Sequence, residues 1–469
     1  MAIATINPAT GERIREFASL GAAEIEQRLR LAHETYPSWS HLPLARRIDV
    51  VRNAGALLDE RKDEYAKLMT LEMGKLVAAA REEAAKCAVA CRYYADQGAR
   101  ILANRDVVSG GEHGYVAFHP LGVVLAVMPW NFPFWQVVRF AAPALVAGNV
   151  GLLKHASNVP QCALALEQLF LDAGAPRGVF QTLLIGADAV GDVIADARVA
   201  AVTLTGSEGA GRLVASQAGK HLKKTVLELG GSDPFIVMPS ADLGMAVETA
   251  VKARIINNGQ SCIAAKRFIV HQDIADLFEQ RFSGAMAALR VGDPMDERTQ
   301  VGPLASQQVA DDLAAQVSAS VKSGARVVVG GKRLERSGFF FAPTVLTDVS
   351  PTAAAYRDEL FGPVASVFRA RDPADAVRIA NDTRFGLAAA VWTTDAAEAD
   401  YFARELSTGT VFINGMVASD PRFPFGGVKA SGYGRELSEY GLHEFVNIKT
   451  VRVFGLHGNH TPHAGALSE

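Results

Sequence analysis

From residue 121 the chain settles into a repeating pattern in which short β-branched runs are separated by helical stretches. Runs at 122–128, 150–154, 178–185, 199–205 and 225–229 read as strands, and 134–147, 160–173 and 208–218 read as helices. Strands joined by helical crossovers run parallel, so the pattern predicts an α/β fold with a sheet of the dinucleotide-binding kind. Such a sheet gathers ligands at the carboxyl ends of its strands. A second doubly wound pattern extends from about 231 to 430.

The flanking segments read differently. Residues 22–104 have apolar positions at helical spacing, including Ile25, Leu29 and Leu31, then Val50, Val51, Ala54, Leu57 and Leu58. Cys87 and Cys91 stand four apart there. That spacing can place two thiols on one face for a metal, but no further Cys or His lies nearby, and two small apolar residues facing a core fit better. The stretch 103–120 suggests a hairpin leaving the domain, and 445–454 alternates like a strand. The tail beyond 455 holds His457, His460 and His463; a loose tail describes it better than a metal site.

Composition narrows the class. A chain of 469 residues exceeds one ordinary core and implies more than one lobe. Apolar residues at 49% and charged residues at 21% give the balance of a soluble globular protein. The net charge of −3 offers no reason to expect nucleic acid or an anionic membrane as partner. Four cysteines in a chain this long do not form a disulfide framework, and free thiols suit a reducing, cytoplasmic setting. The start lacks a signal peptide's basic and apolar segments, and no apolar run is long enough to span a bilayer.

Chemistry concentrates in a few segments. Cys262 lies in Asn-Asn-Gly-Gln-Ser-Cys-Ile-Ala-Ala-Lys-Arg at 257–267, a turn-like context in which Gly259 permits a backbone that presents the thiol. A thiol so placed is a candidate nucleophile; without further context a buried structural cysteine is the better reading. Glu228 sits inside an apolar strand, Thr-Val-Leu-Glu-Leu-Gly-Gly at 225–231. Burial raises a carboxyl pKa toward the range of a general base, unless backbone amides hold it. Asn131, in Pro-Trp-Asn-Phe-Pro at 129–133, can donate N–H to an oxyanion, or serve as an ordinary turn residue. Lys154 ends one strand. Thr205-Gly-Ser-Glu-Gly-Ala-Gly211 follows another as a Gly-rich lead into a helix, suited to a pyrophosphate.

Together these segments resemble the aldehyde dehydrogenase superfamily over nearly the whole chain. Pro-Trp-Asn-Phe-Pro, Glu-Leu-Gly-Gly at 228–231 and Gly-Gln-Ser-Cys at 259–262 carry the likeness, joined by Glu359-Leu-Phe361-Gly-Pro-Val and the Pro424–Glu436 stretch. The resemblance implies Cys262 as nucleophile, Glu228 as general base, and Asn131 with the Cys262 N–H as oxyanion hole. It implies that Lys154 bonds the adenosine ribose, and that Trp130, Gly206 and Ser207 line the phosphates. Glu359 would hold the nicotinamide ribose, with Phe361 nearby. The implied domains are a cofactor-binding domain at 1–102 and 121–230 and a catalytic domain at 231–430. A small β oligomerisation element at 103–120 and 440–456 and a flexible tail at 457–469 complete the chain. Assembly as a homodimer or homotetramer is expected, with no metal.

Finer likeness points to bacterial succinate-semialdehyde dehydrogenases, through Lys154-His-Ala-Ser157-Asn-Val-Pro and Gly415-Met-Val-Ala-Ser419-Asp-Pro. Arg139 would meet the substrate carboxylate, which a guanidinium can bind bidentately, with Ser419 as a further substrate contact. An ordinary helix-surface arginine is the alternative. Where some relatives carry a second arginine this chain has Ile256, so Arg254 or Arg422 would have to substitute; a lysine usually following Arg139 is Phe140. Ala264 excludes a local redox-switch disulfide with Cys262. NAD-preferring relatives place a glutamate where this chain has Ser157, so repulsion of a 2′-phosphate is missing and both NAD and NADP fit. The rival readings are a broad aliphatic or aromatic aldehyde dehydrogenase, an acylating dehydrogenase using coenzyme A, which Glu228 argues against, and a non-catalytic structural member.

Overall fold

The computed structural model describes residues 3–109 and 112–454. Four helices, Ala22–Ser40, Leu44–Glu60, Lys62–Met73 and Val77–Leu102, precede the first large sheet. That sheet has five parallel strands in the order Lys224–Glu228, Val199–Thr205, Val123–Met128, Val150–His155 and Phe180–Thr182. A short antiparallel strand, Gly432–Tyr433, closes the edge beside Lys224–Glu228. The expected run at 178–185 shortens to Phe180–Thr182, because it is the far edge and only Gly151–Leu153 pair with it.

Buried carboxylates tie the early helices to this sheet. Glu83 accepts the N–H groups of Phe134 and Trp135 at 2.9 Å each, capping the helix Trp135–Ala147. Its other oxygen pairs with Lys75, and both side chains are buried. Glu72 caps the helix Pro160–Asp172 in the same way, accepting from Gln161 and Cys162 at 3.0 and 2.9 Å. A helix start has unpaired N–H groups and partial positive charge, so a carboxylate satisfies both. Cys87 and Cys91 are fully buried in the apolar cluster around this sheet, as small core residues.

The second sheet has seven strands in the order Arg326–Val329, Thr344–Thr347, Val364–Ala370, Arg267–His271, Pro234–Val237, Ala388–Trp392 and Thr410–Ile413. All neighbours are parallel except the outermost Arg326–Val329. Helices cover both faces, so inner strands such as Pro234–Val237 and Ala388–Trp392 are buried along their whole length. Ile236 enters one apolar cluster, while Phe235 and Val237 enter the other, as the two-residue strand period requires.

The hairpin Arg105–Ser109 and Glu112–Pro120 pairs with Val446–Val453 to make a three-stranded sheet. The anticipated tail and its three histidines lie outside the described residues. Among the described residues no helix is long and apolar enough to cross a membrane, and no group of three His, Cys, Asp or Glu side chains is placed to hold a metal.

Candidate active site

The carboxyl ends of the parallel strands in the first sheet bring several expected residues side by side. Lys154 stands opposite Val127, and Thr205 opposite Glu228, at adjoining strand ends. Trp130 and Asn131 follow the central strand, and Gly206 and Ser207 follow Thr205. Ser207 caps the helix Glu208–Lys220, its hydroxyl accepting from Ala210 N–H at 3.3 Å. Glu208, in the first turn, is neutralised by Arg212 and Arg384. Lys154 is buried, burial lowers its pKa, and it has no hydrogen-bond or ion-pair partner among the described residues. An unpartnered buried amine and the start of a 13-residue helix on the same carboxyl edge of the sheet form a donor set that suits an anionic nucleotide. Ser157 is half-buried, and its carbonyl accepts from Ala4 N–H at 3.0 Å. Trp130 and Phe361 meet edge to face, with ring centroids 5.6 Å apart.

Cys262 follows a turn in which Asn257, Asn258 and Gly259 all have positive φ, at 53°, 58° and 79°. Left-handed backbone is costly for asparagine, and local hydrogen bonds offset it. Asn257 Nδ2 donates to the carbonyls of Asn131 and Gln260 at 2.7 and 3.0 Å. Asn258 Nδ2 donates to those of Gly74 and Pro303 at 3.0 and 3.1 Å, and its Oδ1 accepts from Gly302 N–H at 2.8 Å. At position 259 a Cβ would lie 2.3 Å from the Gly362 carbonyl, so only glycine fits. Asn131 Nδ2 reaches the Gln260 carbonyl at 3.1 Å, and its Oδ1 accepts from Gln136 Nε2 at 3.0 Å. One Asn131 N–H thus anchors the turn before Cys262 and the other stays available.

The Cys262 thiol is partly exposed on the wall of a cavity of about 250 Å³. Protein atoms nonetheless crowd it, and burial pushes its pKa up to about 12 against the pull of Arg139 and Lys266. Behind it, Lys266 Nζ donates to the carbonyls of Ser261 and Cys262, both at 2.8 Å, and pairs with Glu359 at 3.4 Å. Glu359 also accepts the Gly231 N–H at 3.0 Å. Glu228 is buried next to the bare backbone of Gly426, where a Cβ would come within 2.6 Å of its carboxyl oxygen. Burial first, and the neighbouring Glu436 second, raise the Glu228 pKa well above the usual carboxylate range. In this state the thiol holds its proton at neutral pH, and the surroundings of Glu228 favour the protonated form of its carboxyl.

Arg139 and Ser419 stand on the same cavity wall as Cys262, whereas Glu228 and Asn131 are not among its lining residues. Arg139 is not a helix-surface arginine. It is buried, paired with Glu436, and donates to the Thr205 hydroxyl at 3.1 Å. Ile256 contributes apolar wall in place of a second arginine. Neither suggested substitute reaches the cavity wall: Arg254 is fully buried and donates to the Gly259 carbonyl at 2.7 Å, while Arg422 pairs with Asp420 at the surface. Phe140 packs edge to face on Phe445, with centroids 5.6 Å apart. Sequence reasoning missed Lys86, Trp135 and Gln136, which also line the cavity. Two charges three apart, Glu83 and Lys86, within the alanine-rich stretch 77–91 were the available signal.

A nucleotide-type sheet and a cavity with a cysteine on its wall are the features of a dinucleotide-dependent oxidoreductase class. The chain belongs to the aldehyde dehydrogenase family, whose sequence profile matches residues 1–451. A protein of Synechocystis sp. named probable succinate-semialdehyde dehydrogenase [NADP(+)] is 54% identical over 451 residues, covering 96% of this chain and 99% of that one. Succinate-semialdehyde dehydrogenase [NADP(+)] 1 of Mycobacterium tuberculosis is 56% identical over 454 residues, with the same two coverages of 96% and 99%. Succinic semialdehyde dehydrogenase from Streptococcus pyogenes, solved with NADP+, superposes with a TM-score of 0.95 at 38% identity, covering 96% of this chain and all of that one.

Proposed function

We propose that this enzyme oxidises succinate semialdehyde to succinate with NADP+, accepting NAD+ as well. One observation carries the substrate reading: the cavity beside Cys262 is largely apolar, and of the three cations on its wall, Lys75, Lys86 and Arg139, only Lys86 lacks a carboxylate partner among the described residues. An apolar channel with a cationic patch matches a short aldehyde with a carboxylate at its far end. The names of the similar bacterial proteins support the same substrate and cofactor. Ser157, in place of a carboxylate, leaves room for a 2′-phosphate.

In the proposed reaction the thiol proton passes to the ionised fraction of Glu228, and Cys262 Sγ bonds to the aldehyde carbon. The carbonyl electron pair moves onto oxygen, held by the free Asn131 N–H and the Cys262 N–H. When bound at the strand ends, the oxidised nicotinamide supplies the acceptor for a hydride. Collapse of the oxyanion expels that hydride and leaves a thioester on Cys262. Glu228 releases the thiol proton to solvent and then takes a proton from water, whose oxygen adds to the thioester carbon as the Cys262 thiolate departs and afterwards recovers that proton. Lys154, Trp130, Gly206, Ser207, Glu359 and Phe361 hold the dinucleotide in this reading. The three-stranded sheet joins copies into a homodimer or homotetramer, and four free cysteines suit the cytoplasm.

The test is reduced-cofactor absorbance with succinate semialdehyde and butanal, each with NADP+ and NAD+, and Cys262→Ala as the blank. Fast turnover of the semialdehyde alone is expected. Equal turnover of both aldehydes would remove the substrate reading and leave the family untouched.

A further inference from the structure

The three cations on the cavity wall are not equivalent: Lys75 is already paired with Glu83. Arg139 is already engaged by Glu436 and Thr205, and the Phe425 ring lies 4.9 Å from its guanidinium carbon. Lys86 has no carboxylate within ion-pair distance among the described residues. Its Nζ donates to Ser419 Oγ at 2.7 Å and stands 4.5 Å over the Trp135 ring. Three separate elements converge on this one ammonium: the helix Val77–Leu102, the start of the helix Trp135–Ala147 and the loop after Thr410–Ile413. A half-buried cation held by a hydroxyl and a ring, with no counter-ion, is an incomplete arrangement that an anion would complete.

We infer that Lys86, together with Ser419, is the specificity-determining contact for the substrate carboxylate, and that Arg139 acts behind them as a positioning residue through Glu436. The inference rests on the semialdehyde reading above. The chemistry of the pair is complementary. One of the three Lys86 donors goes to Ser419, so others remain for a carboxylate oxygen. Ser419 accepts from Lys86, so its own O–H is free to donate to the second oxygen. Burial and the Arg139 charge lower the Lys86 pKa to about 8, opposed by Glu83 and Cys87 on its own helix and Asp420 on the facing loop. A bound carboxylate relieves both causes by pairing the charge. The ammonium is therefore present at neutral pH and is lost as pH rises through that value.

The experiment compares Lys86→Met and Lys86→Arg with the wild-type enzyme, measuring kcat and KM for succinate semialdehyde and for butanal, from pH 7 upward. Lys86→Met should raise KM for the semialdehyde about ten- to a hundredfold, the usual effect of losing a charged hydrogen bond, with kcat and butanal KM changed far less. Lys86→Arg should keep the preference. In the wild type the ratio of semialdehyde KM to butanal KM should climb above about pH 8, and in Lys86→Arg it should stay flat. Taking the ratio cancels groups common to both substrates, including Cys262 and Glu228. A wild-type preference that survives intact in Lys86→Met overturns the role of Lys86 alone, as does an equal loss with both aldehydes. A wild type without any preference overturns the substrate reading itself.

Discussion

At the carboxyl edge of the six-stranded sheet, Lys154 is buried without a partner and a Gly-rich helix start faces outward. Around Cys262 the side-chain amides of Asn257, Asn258 and Gln260 are instead bound to backbone groups, and Lys266 clamps two consecutive carbonyls. The first region is left for a ligand to complete; the second is held mainly by the protein's own hydrogen bonds. The difference follows from what each must do. A nucleotide brings its own charges and acceptors, so donors kept free for it gain binding energy. A nucleophile must hold its position before substrate arrives, because a misplaced thiol forfeits the benefit of orientation.

Substitutions on the two sides should therefore differ in kind. Asn131→Ala removes the proposed oxyanion donor and an anchor of the turn before Cys262, and kcat should fall by about 10²–10³-fold, read from cofactor reduction. Asn258→Ala strands one buried N–H and two carbonyls in the second region. Thermal unfolding of the ligand-free enzyme should show a loss of about 2–4 kcal/mol. On the open side, Ser157→Glu should raise KM for NADP+ by roughly tenfold or more while leaving NAD+ nearly unchanged, since only the former carries a 2′-phosphate. Lys154→Met should raise nucleotide KM by about three- to tenfold for both cofactors, a lost charged hydrogen bond at a partly wet site. Its ligand-free melting temperature should not fall, because no protein partner is lost. A clear drop would show that Lys154 has a structural partner and would break the contrast.

Much of the first region was legible because its elements are local and regular. The strand Val199–Thr205 matches its β-branched run residue for residue, and the helix Trp135–Ala147 begins one residue from the expected 134. Cys262, Glu228 and Asn131 stood out because each is the wrong residue type for its surroundings: a thiol in a turn, a carboxylate in a strand, an amide between aromatics. What escaped was non-local. Gly432–Tyr433 is too short to show alternation, yet it pairs with the strand bearing Glu228. Glu436, the partner that occupies Arg139, lies far away in sequence. Lys86 reads as a solvated charge in an alanine-rich helix, and only the packing of Trp135 and Ser419 against it reveals otherwise.

The strand Gly432–Tyr433 carries a consequence for how the enzyme comes into being. Next to it, Ser431 Oγ donates to the Gly230 carbonyl at 2.7 Å across 201 residues of chain. Contacts of such long separation form late, since loop closure must precede any gain. A chain emerging from the ribosome folds its early segments first. Until the last tenth of the polypeptide is released, the strand that holds Glu228 remains an uncovered edge, and Arg139 lacks Glu436. The reactive pocket is thus sealed by the final stretch of synthesis, and a truncated product is left without a finished site rather than with an unregulated one.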